Sequence, residues 1–227
     1  MIVYGKQIVT SIIEKYPQKV KQVFLTKELE KKEFKKFMDL GVKIIKPDNK
    51  KAQSLARGGN HQGYLLEIDE FEFIDFHYLK KEKFILVLDG LTDVGNIGAI
   101  IRSAYALGVN GVIICGFKQI DMAPIIRTSA GAALEMPIAF AQNSADIANE
   151  LKMVDFTLAG ADAKGYDVKT VERSKSQKIA LFLGSEGKGL SKKVQNKLDI
   201  KLSIHMENNF DSLNVSVAAG ILIYSLQ

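Results

Sequence analysis

The sequence is poor in cysteine, tryptophan and proline. Cys115 is the only cysteine among 227 residues, tryptophan is absent, and there are four prolines. A single cysteine excludes a disulfide within the chain, so we expect a reducing compartment, the cytoplasm. Cys115 lies in an apolar run, residues 111–115, which indicates an inert core position.

Long apolar runs and clusters of metal ligands are also lacking. The apolar runs have the length of strands, whereas a membrane-spanning helix needs about 20 apolar residues, so no membrane partner is expected. Residues 1–5 show no charged segment followed by an apolar one, so no signal peptide is expected. The three histidines, His61, His77 and His205, are scattered and stand beside a single cysteine. We therefore expect no metal site.

Negative charge is scarce in the first quarter of the chain. The net charge is +5, but residues 1–60 hold 14 Lys and Arg against 6 Asp and Glu, whereas residues 61–227 hold 17 against 20. This asymmetry is typical of two functional parts, the first with a polyanionic partner. A lysine-rich solvated surface would give the same count.

The periodicity of apolar residues predicts two α/β domains. Residues 1–70 alternate helices with strands over helices 6–16, 27–40 and 50–57 and strands 20–25, 42–45 and 63–68. Residues 71–83 are charged and aromatic, and we expect an interdomain linker that packs on a surface.

From residue 84 onward, continuous Val, Ile and Leu strands alternate with helices. We expect strands over 84–88, 111–115, 137–140, 157–160, 179–183 and 200–204, and helices over 96–107, 124–133, 145–153, 191–198 and 212–226. Strands of this kind predict a parallel sheet covered on both faces in a domain spanning 84–227.

Asn96 and Arg102 are the first pair that suggests chemistry. Both lie on a helix that follows a strand end, which is where open α/β sheets bind ligands. Arg102 stands among isoleucines and alanines, so it is either paired with a carboxylate or directed at a phosphate.

A glycine-rich turn follows the strand 179–183. Its order, Gly184-Ser185-Glu186-Gly187-Lys188-Gly189, fits neither the phosphate loop nor the dinucleotide fingerprint. Glu186 would repel phosphate, which favours a ligand that is neutral or cationic near the turn. A plain strand-to-helix turn with Ser191 as the helix cap is the alternative.

The segment 211–220 starts a helix of small residues abruptly. Ser212 or Asp211 can cap this helix, and Asn214 is a polar amide at the mouth of an otherwise apolar element. Asn214 either extends the cap or faces a ligand.

The loop 57–63 combines glycines with Arg57, Asn60, His61 and Gln62. Glycine permits a close backbone approach, and the polar side chains can contact phosphate, ribose or base. A glycine turn with solvated polar side chains remains equally open.

Three blocks resemble the motifs of the SpoU (TrmH-like) family of RNA 2′-O-ribose methyltransferases, within the SPOUT superfamily. The blocks are Asn96-x-Gly98-x-x-x-Arg102, residues 183–189, and Ile204-x-Met206 with residues 212–216. The start of the chain and residues 59–63 resemble the small RNA-binding domain of two-domain members, which favours a guanosine in 23S rRNA over a tRNA ribose.

The resemblance implies a trefoil knot, a homodimer and S-adenosylmethionine as cofactor. It assigns the cofactor to Gly160, Leu183, Gly184, Ile204, Met206 and Leu213, and the RNA to the polar residues of the loop 57–63 with Arg127. Knots are rare, and periodicity alone would not suggest one.

The resemblance also implies the catalytic residues Arg102, Asn96, Glu186, Ser212 and Asn214. Because arginine stays charged in proteins, we expect Arg102 to stabilise the developing alkoxide rather than to accept a proton. Val94 and His205 stand where the family often has proline, and we expect His205 to alter the loop that contacts the cofactor. A non-catalytic RNA-binding or ribosome-assembly factor is the competing hypothesis.

Overall fold

A computed structural model describes residues 1–172, 174, 176–185, 187–208 and 212–227. The chain forms two compact units, one of residues 1–72 and 121–131, the other of residues 73–120 and 132–227. The expected division placed residues 84–227 in one domain, whereas the structure groups residues 121–131 with the first unit.

The first unit is a four-stranded sheet with helices. Its strands are β1 (Ile2–Tyr4), β2 (Val20–Leu25), β3 (Lys43–Ile45) and β4 (Tyr64–Ile68), in the order β1-β4-β2-β3. Strand β4 is antiparallel to β1 and β2, and β2 is parallel to β3. Three helices cover the sheet, α1 (Lys6–Lys15), α2 (Lys31–Met38) and α3 (Asn49–Leu55).

The second unit is a six-stranded sheet in which every pair of neighbouring strands is parallel. Its order is β10-β8-β9-β5-β6-β7, with β5 (Phe84–Asp89), β6 (Gly111–Cys115), β7 (Ile138–Ala141), β8 (Thr157–Asp167), β9 (Ile179–Gly184) and β10 (Ile200–Ser203). Its helices are α4 (Val94–Ala106), α6 (Ser144–Lys152), α7 (Lys192–Gln195) and α8 (Val215–Ser225). The predicted parallel sheet is confirmed.

One helix belongs to the first unit although its sequence lies between strands of the second. Helix α5 (Met122–Thr128) packs on β1 and buries Met122, Ile125 and Ile126. It was expected to run to residue 133. It ends earlier because Ala130 and Gly131 adopt left-handed backbone angles, with φ of 53° and 89°.

The segment 73–83 packs on the second unit. Ile74 forms a parallel bridge with Ala139, and a 3₁₀ turn over Phe76–Lys81 buries Leu79. Apolar side chains therefore hold this charged segment in place.

Two differences from the expected elements concern strands. Strand β1 was not expected, because three residues are too few to show an alternating pattern. Strand β8 continues seven residues beyond the predicted end at residue 160. Within the described part of the chain, no helix is long and apolar enough to cross a membrane.

Candidate active site

The carboxyl ends of the central parallel strands gather the segments that carry the motifs. Strand β5 leads into α4, β9 into the glycine turn, and β10 into the segment before α8. Helix α8 packs on α4. Because parallel strands end at the same edge of a sheet, segments that are distant in sequence meet there.

A cavity of about 880 Å³ opens at this edge. Four predicted cofactor residues and two predicted catalytic residues line it, namely Gly184, Ile204, Met206, Leu213, Ser212 and Asn214. His205 also lines it, and its imidazole lies 3.5 Å from the Glu207 carboxylate. The backbone of His205 does not adopt a left-handed φ.

A large bulge in β8 forms one wall of the cavity. Lys201 pairs with Gly160, but the next residue of β10, Leu202, pairs with Tyr166. The five residues between Gly160 and Tyr166 therefore leave the ladder, and Ala161, Asp162 and Ala163 face the cavity. Bulges commonly redirect side chains toward active sites.

Asp162 anchors this bulge. Its carboxylate accepts hydrogen bonds from the Lys164 amide at 3.0 Å and from the Lys201 ammonium at 2.9 Å. The two donors, the amide first, hold the pKa of Asp162 below its ordinary value. Sequence reasoning missed Asp162 because the strand was expected to end at residue 160.

The glycine turn after β9 needs glycine for two separate reasons. A side chain at Gly184 would overlap backbone atoms of Gly189 and Leu190, so the turn folds directly over that residue. Gly187 and Gly189 adopt φ of 79° and 64°, which residues with side chains rarely adopt. Glu186, predicted to be catalytic, lies outside the described residues.

A smaller, polar cavity of about 240 Å³ adjoins the large one. It is lined by the start of α4 and by the glycine turn, with Gly90, Leu91, Thr92, Asp93, Asn96, Ser185, Lys188 and Val215. Ser185 and Val215 line both cavities, so the two are neighbours. Asp93 caps α4 by accepting a hydrogen bond from the Asn96 amide at 2.7 Å.

Asn214 joins the two helix mouths. Its side-chain oxygen accepts hydrogen bonds from the Ser216 amide at 2.8 Å and from the Ser216 hydroxyl at 2.6 Å, which makes Asn214 the cap of α8. Its side-chain nitrogen donates to the side-chain oxygen Oδ1 of Asn96 at 3.0 Å.

The sequence predicted Ser212 or Asp211 as the cap of α8. For Ser212 this prediction was wrong, and Asp211 lies outside the described residues. The helix begins at Val215 instead of residue 212, so Asn214, two residues after Ser212, takes the capping position. Asn214 acts both as a cap and as a link to the site, which sequence reasoning had treated as alternatives.

Arg102 lies on the exposed side of α4 and does not line either cavity. Within the described ranges it has no ion pair or hydrogen bond through its side chain, so the structure shows no carboxylate partner for it. Val94, in a position where proline was expected, is the first residue of α4, and proline is well tolerated there since that position needs no amide donor.

Gly160 and Leu183, two further predicted cofactor residues, lie behind the cavity. Leu183 is buried in the sheet, and a side chain at Gly160 would overlap that of Leu198. Asp89, at the end of β5, was missed by sequence reasoning. It accepts hydrogen bonds from the Ser144 hydroxyl at 2.7 Å and the Ser191 amide at 3.4 Å, and so ties α6 and the start of α7 to the sheet.

In the first unit, three predicted RNA-binding residues are engaged in the fold. The Gln62 side chain accepts a hydrogen bond from the amide of Lys6, at the start of α1, at 2.9 Å. Asn60 accepts from the Gln62 amide at 3.2 Å, and the Nδ1 atom of His61 accepts from the Gly63 amide at 3.1 Å. These contacts shape the loop and occupy hydrogen-bonding capacity that was expected to face RNA.

Two predicted RNA-binding arginines also lie in the first unit. Arg57 pairs with Asp121 at 2.5 Å while remaining largely exposed, and Arg127 stacks over the Tyr4 ring, 5.0 Å from its centre. Their positive charges stay near the surface of the loop.

Cys115 is buried, and burial together with the nearby Asp89 carboxylate raises the pKa of its thiol to about 12. Such a thiol is inert at neutral pH. No group of three or more potential metal ligands occurs among the described residues.

The sequence matches two family descriptions in adjacent regions. Residues 83–224 match the "SpoU rRNA Methylase family", and residues 2–74 match "RNA 2'-O ribose methyltransferase substrate binding". The chain belongs to the SpoU rRNA methylase family. Members of this family are S-adenosylmethionine-dependent RNA 2′-O-methyltransferases, so the predicted family, enzyme class and cofactor are confirmed. The predicted α/β fold, with a parallel-sheet methyltransferase domain and an N-terminal substrate-binding domain, is confirmed as well, whereas the knot stays a prediction.

Individual relatives agree with this membership. A putative TrmH family tRNA/rRNA methyltransferase of Staphylococcus aureus (strain COL) is 37% identical, over 73% of this chain and 70% of the relative. The 23S rRNA (guanosine-2′-O-)-methyltransferase RlmB of Coxiella burnetii is 29% identical over 99% of this chain and 94% of its own length.

A solved structure shows the likeness of fold. The crystal structure of the SpoU methyltransferase AviRb from Streptomyces viridochromogenes, in complex with AdoMet, has a TM-score of 0.77 and is 23% identical. The match covers 100% of this chain and 88% of AviRb.

Proposed function

We propose that this protein methylates the ribose 2′-hydroxyl of a guanosine in 23S rRNA. The observation that carries the proposal is the pair of adjoining cavities at the carboxyl ends of the parallel strands, with the Asn96–Asn214 hydrogen bond beside them. A reaction between two substrates needs two neighbouring sites, because held reactants avoid the entropic cost of meeting.

The large cavity fits S-adenosylmethionine. Ile204, Met206 and Leu213 offer apolar contacts for an adenine ring, and the backbone around Gly184 offers hydrogen-bonding groups without an intervening side chain. The Asp162 carboxylate on the same wall is paired with the Lys201 ammonium, so the pair places no net positive charge against a cationic sulfonium ligand. When bound, this cofactor supplies an electrophilic methyl group.

The smaller cavity suits the target ribose. Asn96 and Thr92 offer hydrogen-bonding side chains, and Lys188 offers a positive charge for the adjacent phosphate. Asn214 fixes Asn96, since one amide donates to the other at 3.0 Å. Ser212 borders the cofactor cavity, and Glu186 remains a predicted partner of the ribose.

Arg102 is proposed to stabilise the negative charge that develops on the 2′-oxygen, while a phosphate of the RNA or a water molecule takes the proton. Its charge is exposed and has no ion pair within the described residues, so it is available to RNA. A positive charge placed where an oxyanion forms lowers the barrier of the reaction.

The proposal for Arg102 is tested with Arg102→Ala. Methyl transfer should fall about 100-fold or more, as when one oxyanion donor is lost. S-adenosylmethionine affinity, measured by calorimetry, should stay unchanged because Arg102 does not line the large cavity. Arg102→Lys should recover part of the rate. Near-normal turnover by Arg102→Ala would show that this arginine has no catalytic role.

A homodimer is proposed to complete the site. Helix α8 is apolar on its outer side as well as its inner one, with Val217 50%, Ile221 36% and Tyr224 74% exposed. These three residues recur at helical spacing on one face, and exposed apolar patches of this kind mark interfaces. A second copy of the chain would cover them and would account for the distance of Arg102 from the cavities of its own chain.

The dimer is tested by sedimentation velocity with Ile221→Lys. The substitution should halve the mass and reduce methyl transfer, since a buried lysine without a partner is costly. Met153→Lys, at a residue that is 81% exposed outside this face, is the matched control and should remain dimeric. A monomeric wild-type protein with full activity would contradict the proposal.

Three further features complete the proposal. The fold shared with solved SpoU methyltransferases supports a trefoil knot in residues 84–227. The substrate-binding match over residues 2–74 and the full-length match to an rRNA enzyme support rRNA over tRNA. An rRNA substrate supports a cytoplasmic location. Parallel methylation assays on deproteinised rRNA and on bulk tRNA separate the substrates, and a preference for tRNA would refute the rRNA assignment.

A further inference from the structure

The first unit carries an apolar groove at its surface. The groove, which we call the α2 groove, has a volume of about 710 Å³ and is lined by Leu25, Lys27, Glu28, Leu29, Phe34, Met38, Val42, Ile44, Ile45 and Lys46. It runs along α2 and β3, and β3 is the edge strand of its sheet. All of these residues belong to the first unit.

Helix α2 presents apolar side chains in two directions. Phe37 points inward and is 1% exposed, stacking with Tyr64 at 6.2 Å between ring centres. Phe34 and Met38, four residues apart on the helix, are 39% and 57% exposed and line the groove. Since stability of the core explains Phe37 but not the other two, an aromatic ring and a thioether remain available for a ligand.

Two lysines, Lys27 and Lys46, line the α2 groove with one acidic residue, Glu28. The surrounding sequence, residues 27–51, holds nine lysines against five acidic residues. Lys46 is paired loosely with Glu28 at 3.8 Å, and Lys36 with Glu14 at 2.8 Å, but Lys31, Lys32 and Lys35 make no ion pair with any described residue. A ligand with an apolar face and negative charge beside it fits this arrangement.

We propose that the α2 groove binds an unpaired base of the RNA substrate, stacked on Phe34 and packed against Met38, with the flanking phosphates held by the lysines of α2. Single-stranded nucleic acid is bound in this way, by aromatic platforms within positively charged grooves. An apolar segment of a protein would match the groove but would leave the positive charge of residues 27–51 without a counterpart. The proposal rests on the proposed RNA methyltransferase function.

The α2 groove offers the first unit a second way to bind RNA, beside the loop 57–63. Asn60, His61 and Gln62 make hydrogen bonds within the loop or to α1, so they are less free to recognise a base than their sequence suggested. The exposed ring of Phe34 has no such commitment to the fold. The first unit can therefore bind RNA through a stacking platform in addition to the charges of the loop.

The experiment measures the affinity of the full chain for deproteinised 23S rRNA with four variants. Phe34→Ala should weaken binding at least about fivefold, the lower end of what stacking of one base contributes. Phe34→Leu, which keeps an apolar side chain but loses the ring face, should weaken it similarly, whereas Phe34→Tyr should bind like the wild type. Met153→Ala removes an exposed methionine elsewhere and should change nothing.

Each other outcome has a definite meaning. Wild-type affinity in both Phe34→Ala and Phe34→Leu overturns the proposal. Loss in Phe34→Ala with full affinity in Phe34→Leu also overturns base stacking, because an apolar side chain without a ring face would then suffice for RNA binding. Melting temperatures within about 2 °C of wild type show that each variant is folded.

The methyl-transfer assay keeps this proposal separate from the proposed function. With saturating RNA, Phe34→Ala should turn over at the wild-type rate, because the groove contributes binding and no chemistry. If the wild-type protein binds RNA through Phe34 but transfers no methyl group, the proposed function fails while the groove stands.

Discussion

Substitutions of Asn214 separate its two tasks. Asn214→Ser keeps a side-chain oxygen that can cap α8 but removes the donor to Asn96. Asn214→Ala removes both the cap and the donor. Since serine and asparagine are comparable caps, the serine variant should lose little stability, whereas loss of the cap in the alanine variant should cost about 1 kcal/mol.

The magnitudes follow from the contacts. One neutral hydrogen bond contributes about 0.5–1.5 kcal/mol, so loss of the link to Asn96 should reduce kcat/KM about 2- to 12-fold in Asn214→Ser if the bond positions the site. For a chain of this size, loss of the cap in Asn214→Ala should lower Tm by about 2–4 °C.

The assays are differential scanning calorimetry and transfer of a tritiated methyl group to rRNA. The expected pattern is reduced activity in both variants and reduced stability only in Asn214→Ala. Full activity in Asn214→Ser would show that the link to Asn96 is not used. A Tm of Asn214→Ser as low as that of Asn214→Ala would show that capping of α8 by the side-chain oxygen is not the stabilising contact.

Two further predictions concern the cofactor cavity. Gly184→Ala should lower the free energy of unfolding by about 1–3 kcal/mol and weaken S-adenosylmethionine binding, because the added methyl overlaps the backbone of the glycine turn. Unchanged affinity in a calorimetric titration would contradict this. Asp162→Asn should lower the free energy of unfolding by about 1–3 kcal/mol at neutral pH. Because the folded-state pKa of Asp162 lies below its unfolded value of about 3.9, this difference should persist down to about pH 4 and vanish as the pH falls through the folded-state pKa. A difference that persists in urea melts below that pKa would refute the charge-based explanation.

Much of the fold could be predicted because buried strands appear in the sequence as runs of apolar residues. Strands β2 and β6 have the predicted bounds, since β6 is a continuous apolar run and β2 ends in the apolar run Val23–Leu25. Parallel pairing followed from the alternation of strands with helices. The sequence could not predict that α5 belongs to the first unit. An apolar helix can pack on either sheet, and tertiary packing decides which one.

Residues of the candidate site could be predicted where an unusual residue type marks them in the sequence. They could not be predicted where contacts between distant segments place them. Asn214 was recognised because a polar amide interrupts an apolar helix. That it bonds to Asn96 as well as to Ser216 could be known only from the position of Asn96 in the fold. Asp162 was missed because a bulge depends on pairing between β8 and β10, which leaves no local pattern. The hydrogen bond between Gln62 and the start of α1 joins residues 56 positions apart in the sequence, so no local pattern indicates it. Gln62 was therefore assigned to RNA.

The most direct measurement of the central claim is the chemical position of the transferred methyl group. Purified protein would be incubated with deproteinised rRNA and labelled S-adenosylmethionine, and the RNA would be digested to nucleosides and separated by liquid chromatography with mass spectrometry. The label should appear in 2′-O-methylguanosine and should disappear with Arg102→Ala. Label on a base, or no transfer by the wild-type protein, would contradict ribose methylation at these cavities.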